Sequence, residues 1–409
     1  MDKKTLHNLL SQLKPTDLLF LCYDIAWQLY DTQATRDEIL DALSQPPYLT
    51  KVLDSLPKYH LNYNMAIINL PPKTYEKLIG RTNELTQIIL PRLRQKEQNN
   101  ILAIVGLGGM GKTALAYETV EQVRQENIFD YIVWISAKQE HFVGGSTQQS
   151  HLNFTTFDDV LSQIGQQCHH IDIIKMPIEQ KKSKVKELLT KYHVLIVLDN
   201  LETVEENQAI VHKLWEIRGQ SKLLLTSRHR IDHTQIITIN LQGLSEKEGI
   251  SFLKHEAQIR NIQDIIHAPR NILTTIYQVT GGAPLAMKLV LGQISRQPLA
   301  IVLQNLQKVS QQGEDYEFYR FIYWDSWNLL SDDAKLILVD LSVFPPILGG
   351  EVTDIEAINQ FTPATLWQAI GQLVQMSLVD KGGKLNQERY ALHPLTYYFV
   401  LSDITQEWM

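Results

Sequence analysis

Residues Gly106–Thr113 read GLGGMGKT, a glycine-rich loop ending on a lysine and a hydroxyl. The string fits G-x-x-x-x-G-K-[ST] and stands between an apolar run and a helical pattern, the setting its chemistry needs. Glycines let the backbone turn its N–H groups onto phosphate oxygens, and the N-terminus of the following helix adds partial positive charge. Gly106, Gly108, Gly109, Met110 and Gly111 would supply that cradle, with Ala114 in the first helical turn. Lys112 would reach the β- and γ-phosphates of a nucleotide, and the Thr113 hydroxyl would ligate Mg²⁺. A plain glycine turn explains the bend, but not a Lys-Thr pair at the head of a helix.

A second stretch, LIVLDN at 195–200, stops an apolar run on an acid. Asp199 is placed to hold Mg²⁺, directly or through water. An acid at a strand end is common, so this assignment leans on the loop. The next position, where a second acid often sits in such sites, is Asn200. An amide cannot accept a proton as a carboxylate would. Glu202 is nearby, with its direction open. Slow ATP turnover at most is expected, which suits a switch better than a motor.

Elements that could position these residues are visible around them. Five short apolar runs occur at Ile101–Val105, Tyr131–Ile135, Val194–Leu198, Leu223–Thr226 and Ile236–Ile239. Most lack polar alternation, as strands buried on both faces do. Helical segments separate the first four, so the pattern predicts a parallel sheet with right-handed crossovers. HFVGGSTQQSHLNFTTF within this region reads as a long, mobile polar loop. Before it, Leu18, Leu19, Cys22, Ile25, Ala26 and Leu29 recur at helical spacing within a short helical region, 1–65. NLPPKTYEKLIGRTNEL reads as a linker broken at Pro71–Pro72, and a helix is expected from Asn83 to about Arg94. From Leu244 the pattern is helical to about residue 310, opening on a capping-box spacing of Ser245 and Glu248. Further helices are expected at Ser331–Leu341 and from Thr362-Pro363, the latter burying Leu366, Ile370, Leu373 and Val374. SLVDKGGKLNQERYAL then reads as a hairpin turning at Gly382–Gly383. Helices followed by a hairpin suggest a winged helix.

The chain has 409 residues, enough for two to four domains, with 44% apolar and 20% charged content, as in globular proteins. A net charge of −7 without long blocks argues against nucleic acid as the main partner. Two cysteines, Cys22 and Cys168, make no disulfide framework, so a cytoplasmic setting is expected. Cys168-His169-His170 is read as the polar end of a helix rather than a metal corner, since no second cluster is near. No signal peptide is apparent, and no apolar run approaches the ~20 residues that span a bilayer.

Three further motifs follow in a fixed order: SKLLLTSR ending on Arg228, GGAPLAMKLV with Pro284 in the first turn of a helix, and ALHPL with His393 after the hairpin. With the phosphate loop and LIVLDN, this series resembles the nucleotide-binding module of the STAND NTPases of the NB-ARC type, over about residues 78–400. The resemblance implies a fold and a site. The fold is an α/β P-loop NTPase domain with a five-stranded parallel sheet (99–240), then a helical, ARC1-like domain (241–312), then a winged-helix domain (313–409). A linker and lead-in helix (66–98) and a small all-α, death-like adaptor domain (1–65) precede them. In the site, Gly80 and Arg81 would match the loop packing near adenine, and Gly106 to Thr113 the phosphate loop. Asp199 would match the metal-binding acid, Arg228 the γ-phosphate sensor, Pro284 the proline on adenine and His393 the winged-helix histidine on the ADP β-phosphate. The family's usual motif has Asp after that histidine; here Pro394 follows.

The resemblance further implies an ADP/ATP switch with Mg²⁺ that self-associates into a ring or wheel and recruits a separate effector through residues 1–65, in bacterial antiphage defence or programmed cell death. Asp17, Asp24 and Asp31 share roughly one helix face there, either as a solvated face or as an acidic patch for a partner. Family members usually continue into sensor repeats past the winged helix; Met409 comes first, so a separate sensor, a sensing core or a truncation remain open. The alternative is a STAND-class transcription regulator using its winged helix on DNA. Helix PATLWQAIGQLVQM, however, offers glutamines and no Arg or Lys to grip phosphates.

Overall fold

The computed structural model describes residues 70–95, 101–137, 153–154, 156–201, 204, 207–309, 315–346, 348–358, 361–384 and 387–405. The expectations for residues 1–65, for Glu202 and for most of the polar loop after residue 137 fall outside them. A π-helical turn, Glu84–Ile89, runs into α1 (Leu90–Arg94). Strand β1 (Ile101–Val105) leads through the phosphate loop to α2 (Lys112–Gln125), followed by β2 (Tyr131–Ala137) and a short β3 (Asn153–Phe154). Then come α3 (Phe157–Gln167), α4 (Ile178–Lys191), β4 (Val194–Asp199), α5 (Asn207–Ile217), β5 (Lys222–Ser227) and β6 (Ile236–Asn240). All pairings are parallel, in the order β3-β2-β4-β5-β1-β6.

The five expected strands form the body of this sheet, and β3, placed in a loop by sequence pattern, adds a two-residue edge beside Ser136–Ala137. Successive strand residues alternate between faces. Ile101, Ala103 and Val105 therefore join one core with α3, α4 and α5, while Leu102 and Ile104 join another with α1 and α2. Both faces being covered explains the absence of polar alternation. The C-terminal ends of β1, β4 and β5 lie side by side, which places the phosphate loop, Asp199 and Arg228 along one edge.

The rest of the chain is helical until its end. Helix α6 (Glu246–Ile259) starts on a full capping box: Ser245 accepts from the Glu248 N–H, and Glu248 accepts from the Ser245 N–H. α7 (Gln263–Ile266), α8 (Arg270–Thr280), α9 (Pro284–Ile294), α10 (Leu299–Val309) and α11 (Asp315–Asn328) follow. Next are α12 (Asp332–Asp340), capped by Ser331, β7 (Gly350–Glu351), α13 (Val352–Ile358) and α14 (Pro363–Gln375), capped by Thr362. Antiparallel β8 (Val379–Lys384) and β9 (Gln387–Leu392) pair with β7 in the order β7-β9-β8, and α15 (Pro394–Phe399) comes last before a π-helical turn, Val400–Ile404. Three helices with a three-stranded antiparallel sheet is the order expected of a winged helix.

The hairpin differs from expectation in one respect. Gly382 and Gly383 lie inside β8, opposite Arg389 and Glu388, and are strand residues rather than the turn. The reason at Gly382 is space: a Cβ there would stand 2.9 Å from Pro72 Cβ and 3.2 Å from Lys73 O. A glycine in a strand marks close backbone approach as readily as a turn.

From Leu244 to Ile404 the buried side chains form one continuous core, so α6–α11 share an interior with α12–α15 and the β7-β9-β8 sheet. Helix α9 sits so close to the α14–β8 turn that a Cβ at Gly292 would meet Met376 O at 2.4 Å. Beside it, Arg260 donates to Gln375 O and to the Ser377 hydroxyl, and Ser377 donates to Lys288 O at 2.8 Å. Two helical glycines therefore predict opposite outcomes. Gly371 is exposed in α14 with nothing near its missing Cβ, so Gly371→Ala should stabilise by roughly 0.5–1 kcal/mol. Gly292→Ala should instead destabilise by about 1–3 kcal/mol through overpacking. Paired denaturant titrations will read both signs.

Candidate nucleotide-binding site

The phosphate loop leaves β1 as an irregular turn in which Gly109 and Gly111 take φ of 77° and 87°. L side chains rarely adopt those angles. A Cβ at Gly111 would meet nothing within 4 Å, so the loop keeps open space where a phosphate would sit. Lys112 Nζ donates to Gly106 O at 2.8 Å and Leu107 O at 3.0 Å, which curls the side chain over its own loop. Such a loop, with a helix N-terminus behind it, fits an oligophosphate.

Behind the loop, Asp199 is fully buried. Its Oδ1 accepts from the Thr113 hydroxyl at 2.9 Å and from the Thr226 hydroxyl at 2.6 Å. With its proton donated to Asp199, Thr113 Oγ1 turns lone pairs the other way, as a cation ligand must. One carboxyl and one hydroxyl suit Mg²⁺, which keeps waters and takes phosphate oxygens for the rest. Asn200 has φ of 66°, a left-handed conformation that Asn tolerates better than most residues, and its N–H donates to Thr226 Oγ1 at 2.8 Å.

A cavity of about 200 Å³ opens over the loop. It gathers many of the sequence-derived candidates: Arg81, Gly108 to Ala114, Arg228, Pro284 and His393 all line it. Gly80, Gly106 and Asp199 do not line it; they stand behind those that do. Gly80 packs on Leu244 and Glu248, and the Gly106 N–H donates to Ser227 O at 3.3 Å. Arg81, only 5% exposed, donates to Met110 O at 3.1 Å and Gln242 O at 2.6 Å, tying the lead-in segment to the phosphate loop and to the start of the helical part. Burial pulls its pKa below the ordinary arginine value, although Glu84 opposes this.

The later elements come down onto the loop. The Leu285 N–H, at the start of α9, donates to Gly109 O at 3.2 Å. A Cβ at Gly108 would stand 2.9 Å from Leu395 Cδ1, so α15 rests against the loop as well. Arg228 lies 5.7 Å from the centre of the Tyr398 ring, also on α15. His393 caps α15, and its Nδ1 accepts from the Leu395 N–H at 3.2 Å. Burial first, then Arg228, Lys112 and Lys288, push its pKa down to about 3. The ring is therefore neutral, and with Nδ1 accepting, the proton is on Nε2, which can donate.

Sequence pattern missed several neighbours. Thr226 is one of two hydroxyls, with Ser227, at the end of an apolar strand. Lys288 lies one helical turn beyond Pro284, and that i,i+4 spacing was the available signal. Tyr75 and Asp380 line the cavity too but carry no motif. Cys168 is fully buried, and burial raises its thiol pKa, which leaves it poorly suited to metal. Among the described residues no group of three or more His, Cys, Asp or Glu could hold a metal ion, and no helix is long and apolar enough to cross a membrane. The exposed positions of α14 include Trp367, Gln368 and Gln375, and the helix has no Arg or Lys.

A parallel sheet, a glycine phosphate loop and an acid ending the strand next to β5 define a P-loop NTPase fold. Residues 82–262, a little under half of the chain, match the model of the NB-ARC domain. The chain is 23% identical over 373 residues to an uncharacterised WD repeat-containing protein of Nostoc sp., covering 80% of this chain and 27% of that one. It is 26% identical over 180 residues to a putative disease resistance protein of Arabidopsis thaliana, covering 44% and 18%. Among solved structures it is similar in fold to a Signal Transduction ATPase with Numerous Domains (STAND) protein with a tetratricopeptide repeat sensor from Pyrococcus horikoshii. That match has a TM-score of 0.54 at 18% identity and covers 82% of this chain and 44% of the other. The chain thus spans about a quarter or less of the length of these two sequence relatives.

Two outcomes follow from the site. Thr226→Val removes a donor to Asp199 and the acceptor of the Asn200 N–H, so stability should fall by about 1–3 kcal/mol in chemical denaturation. His393 stays neutral when folded but takes a proton near pH 6.5 when unfolded, so its contribution is complete above pH 6.5. Below that it is lost as pH falls toward 3, by at most about 1.4 kcal/mol per pH unit. Melting curves from pH 7 to 5 should show this acid-side loss in wild type, and less of it in His393→Asn, which keeps a capping side chain.

Proposed function

We propose that the chain is an ADP/ATP-dependent signalling switch that turns nucleotide over slowly. The observation that carries the reading is one cavity lined both by Lys112 of the phosphate loop and by His393 of the winged helix. A nucleotide held by Lys112 with its terminal phosphate near the Nε2 donor of His393 joins two parts of the chain that can separate. ADP would favour the closed arrangement, and ATP, with one phosphate more, would favour departure of α15 from the loop. Each nucleotide shifts the balance only by its difference in affinity for the two arrangements.

Within this reading Arg228 senses the γ-phosphate and Pro284 packs on the base, as the resemblance implies. Gly80 and Arg81 set the entry to the base side. Thr113 and Asp199 hold Mg²⁺, which neutralises phosphate charge when bound. Asn200 supplies no carboxylate base, which favours slow hydrolysis. Opening exposes surfaces for self-association into a ring or wheel, and residues 1–65 then recruit a separate effector in the cytoplasm. Antiphage defence or programmed cell death in bacteria is the setting this mechanism suits.

The test begins with freshly purified protein, denatured, and its released nucleotide identified by chromatography. Wild type should release ADP near one per chain, and Lys112→Ala should release less than about a tenth of that, matching the ~1.4 kcal/mol or more carried by such a contact. Phosphate release from added ATP should be slow in wild type and absent in the variant. Equal nucleotide in both proteins, or none in wild type, would overturn the reading.

A further inference from the structure

Ahead of α1, residues Pro71, Pro72, Thr74 and Tyr75 line the nucleotide cavity, although they precede the NB-ARC match. They are gripped from two sides. On the sheet side, the Tyr75 hydroxyl donates to Ala114 O at 3.0 Å, in the first turn of the helix that carries Lys112 and Thr113. Lys73 Nζ lies 2.6 Å from Glu118 Oε1 on the same helix. The Tyr75 ring meets Tyr117 edge-on at 6.3 Å. On the other side stands β8. Its Gly382 is buried, and any Cβ there would collide with Pro72 and press on Lys73 O.

We propose that this segment is a strap that closes the nucleotide cavity and couples the position of the winged helix to the chain that precedes residue 70. The proposal rests on the switch reading above. Two successive prolines fix two φ angles, so the strap transmits a pull better than a flexible linker would. When the winged helix leaves the phosphate loop, β8 leaves Pro72–Lys73, and the strap is held by α2 alone. Closure by ADP therefore anchors the segment leading to residues 1–65, and opening loosens it. By linkage the effect is reciprocal: a ligand or partner that pulls on the N-terminal side weakens ADP by the same factor as ADP weakens it.

The measurement is release of a fluorescent ADP analogue from the full chain, chased with excess ADP. Gly382→Val, which forces β8 off Pro72, should release it at least tenfold faster. Tyr75→Phe, lacking one hydrogen bond, should release it roughly fivefold faster. Lys73→Glu should also accelerate release, and Lys73→Glu with Glu118→Lys should return it toward the wild-type rate. That exchange at a partly exposed pair keeps the test open should Gly382→Val fail to fold. Wild-type release rates, within twofold, in Tyr75→Phe and Lys73→Glu would overturn the strap while leaving the nucleotide switch intact. Failure of wild type to bind the analogue at all would overturn both.

Discussion

The arrangement turns on a fully buried carboxyl, Asp199, held by two hydroxyls from different elements. A buried acid without donors is costly, so Thr113 and Thr226 are obligatory company. In satisfying Asp199 they lock the first turn of α2 to the ends of β4 and β5. That lock sets where the phosphate loop opens and which way Lys112 and the Thr113 lone pairs face. Asn200 follows from the same constraint: the chain turns through a left-handed residue after β4, and its N–H completes the network on Thr226.

Onto this rigid edge fold parts of the chain remote in sequence. Arg81 and Tyr75 fasten the lead-in segment to the loop and to α2. The start of α9 donates to Gly109 O, and α15 brings Leu395, Tyr398 and His393. The loop meets these elements through single backbone and side-chain contacts at Gly108 and Gly109, whereas α9, α14 and α15 share one large core. An interface of a few polar and apolar contacts beside a large shared core is where two arrangements can differ by only a few kcal/mol, as a switch requires.

How far the sequence was legible depended on whether a residue's reason was local. The five main strands, the Ser245–Glu248 capping box and the Pro363 helix start were readable because periodicity and caps are decided within a few residues. The phosphate loop was readable because its glycines and Lys-Thr act through backbone geometry adjacent in the chain. The hairpin turn was misplaced because Gly382 answers to Pro72 and Lys73, some 300 residues earlier, and not to a turn. The short β3 was missed because two residues at a sheet edge carry no period.

By itself, then, the sequence determined the main elements, their order and the glycine-rich turn of Gly106–Thr113 at the head of a helix, since those depend on contacts close along the chain. Only the tertiary structure decided that Thr226 shares Asp199, that His393 is neutral with its proton on Nε2, and that Tyr75, Lys288 and Asp380 border the same cavity. These depend on burial and on through-space neighbours brought together by closure of the chain over the sheet edge, and no local pattern encodes which distant charge or hydroxyl will arrive there.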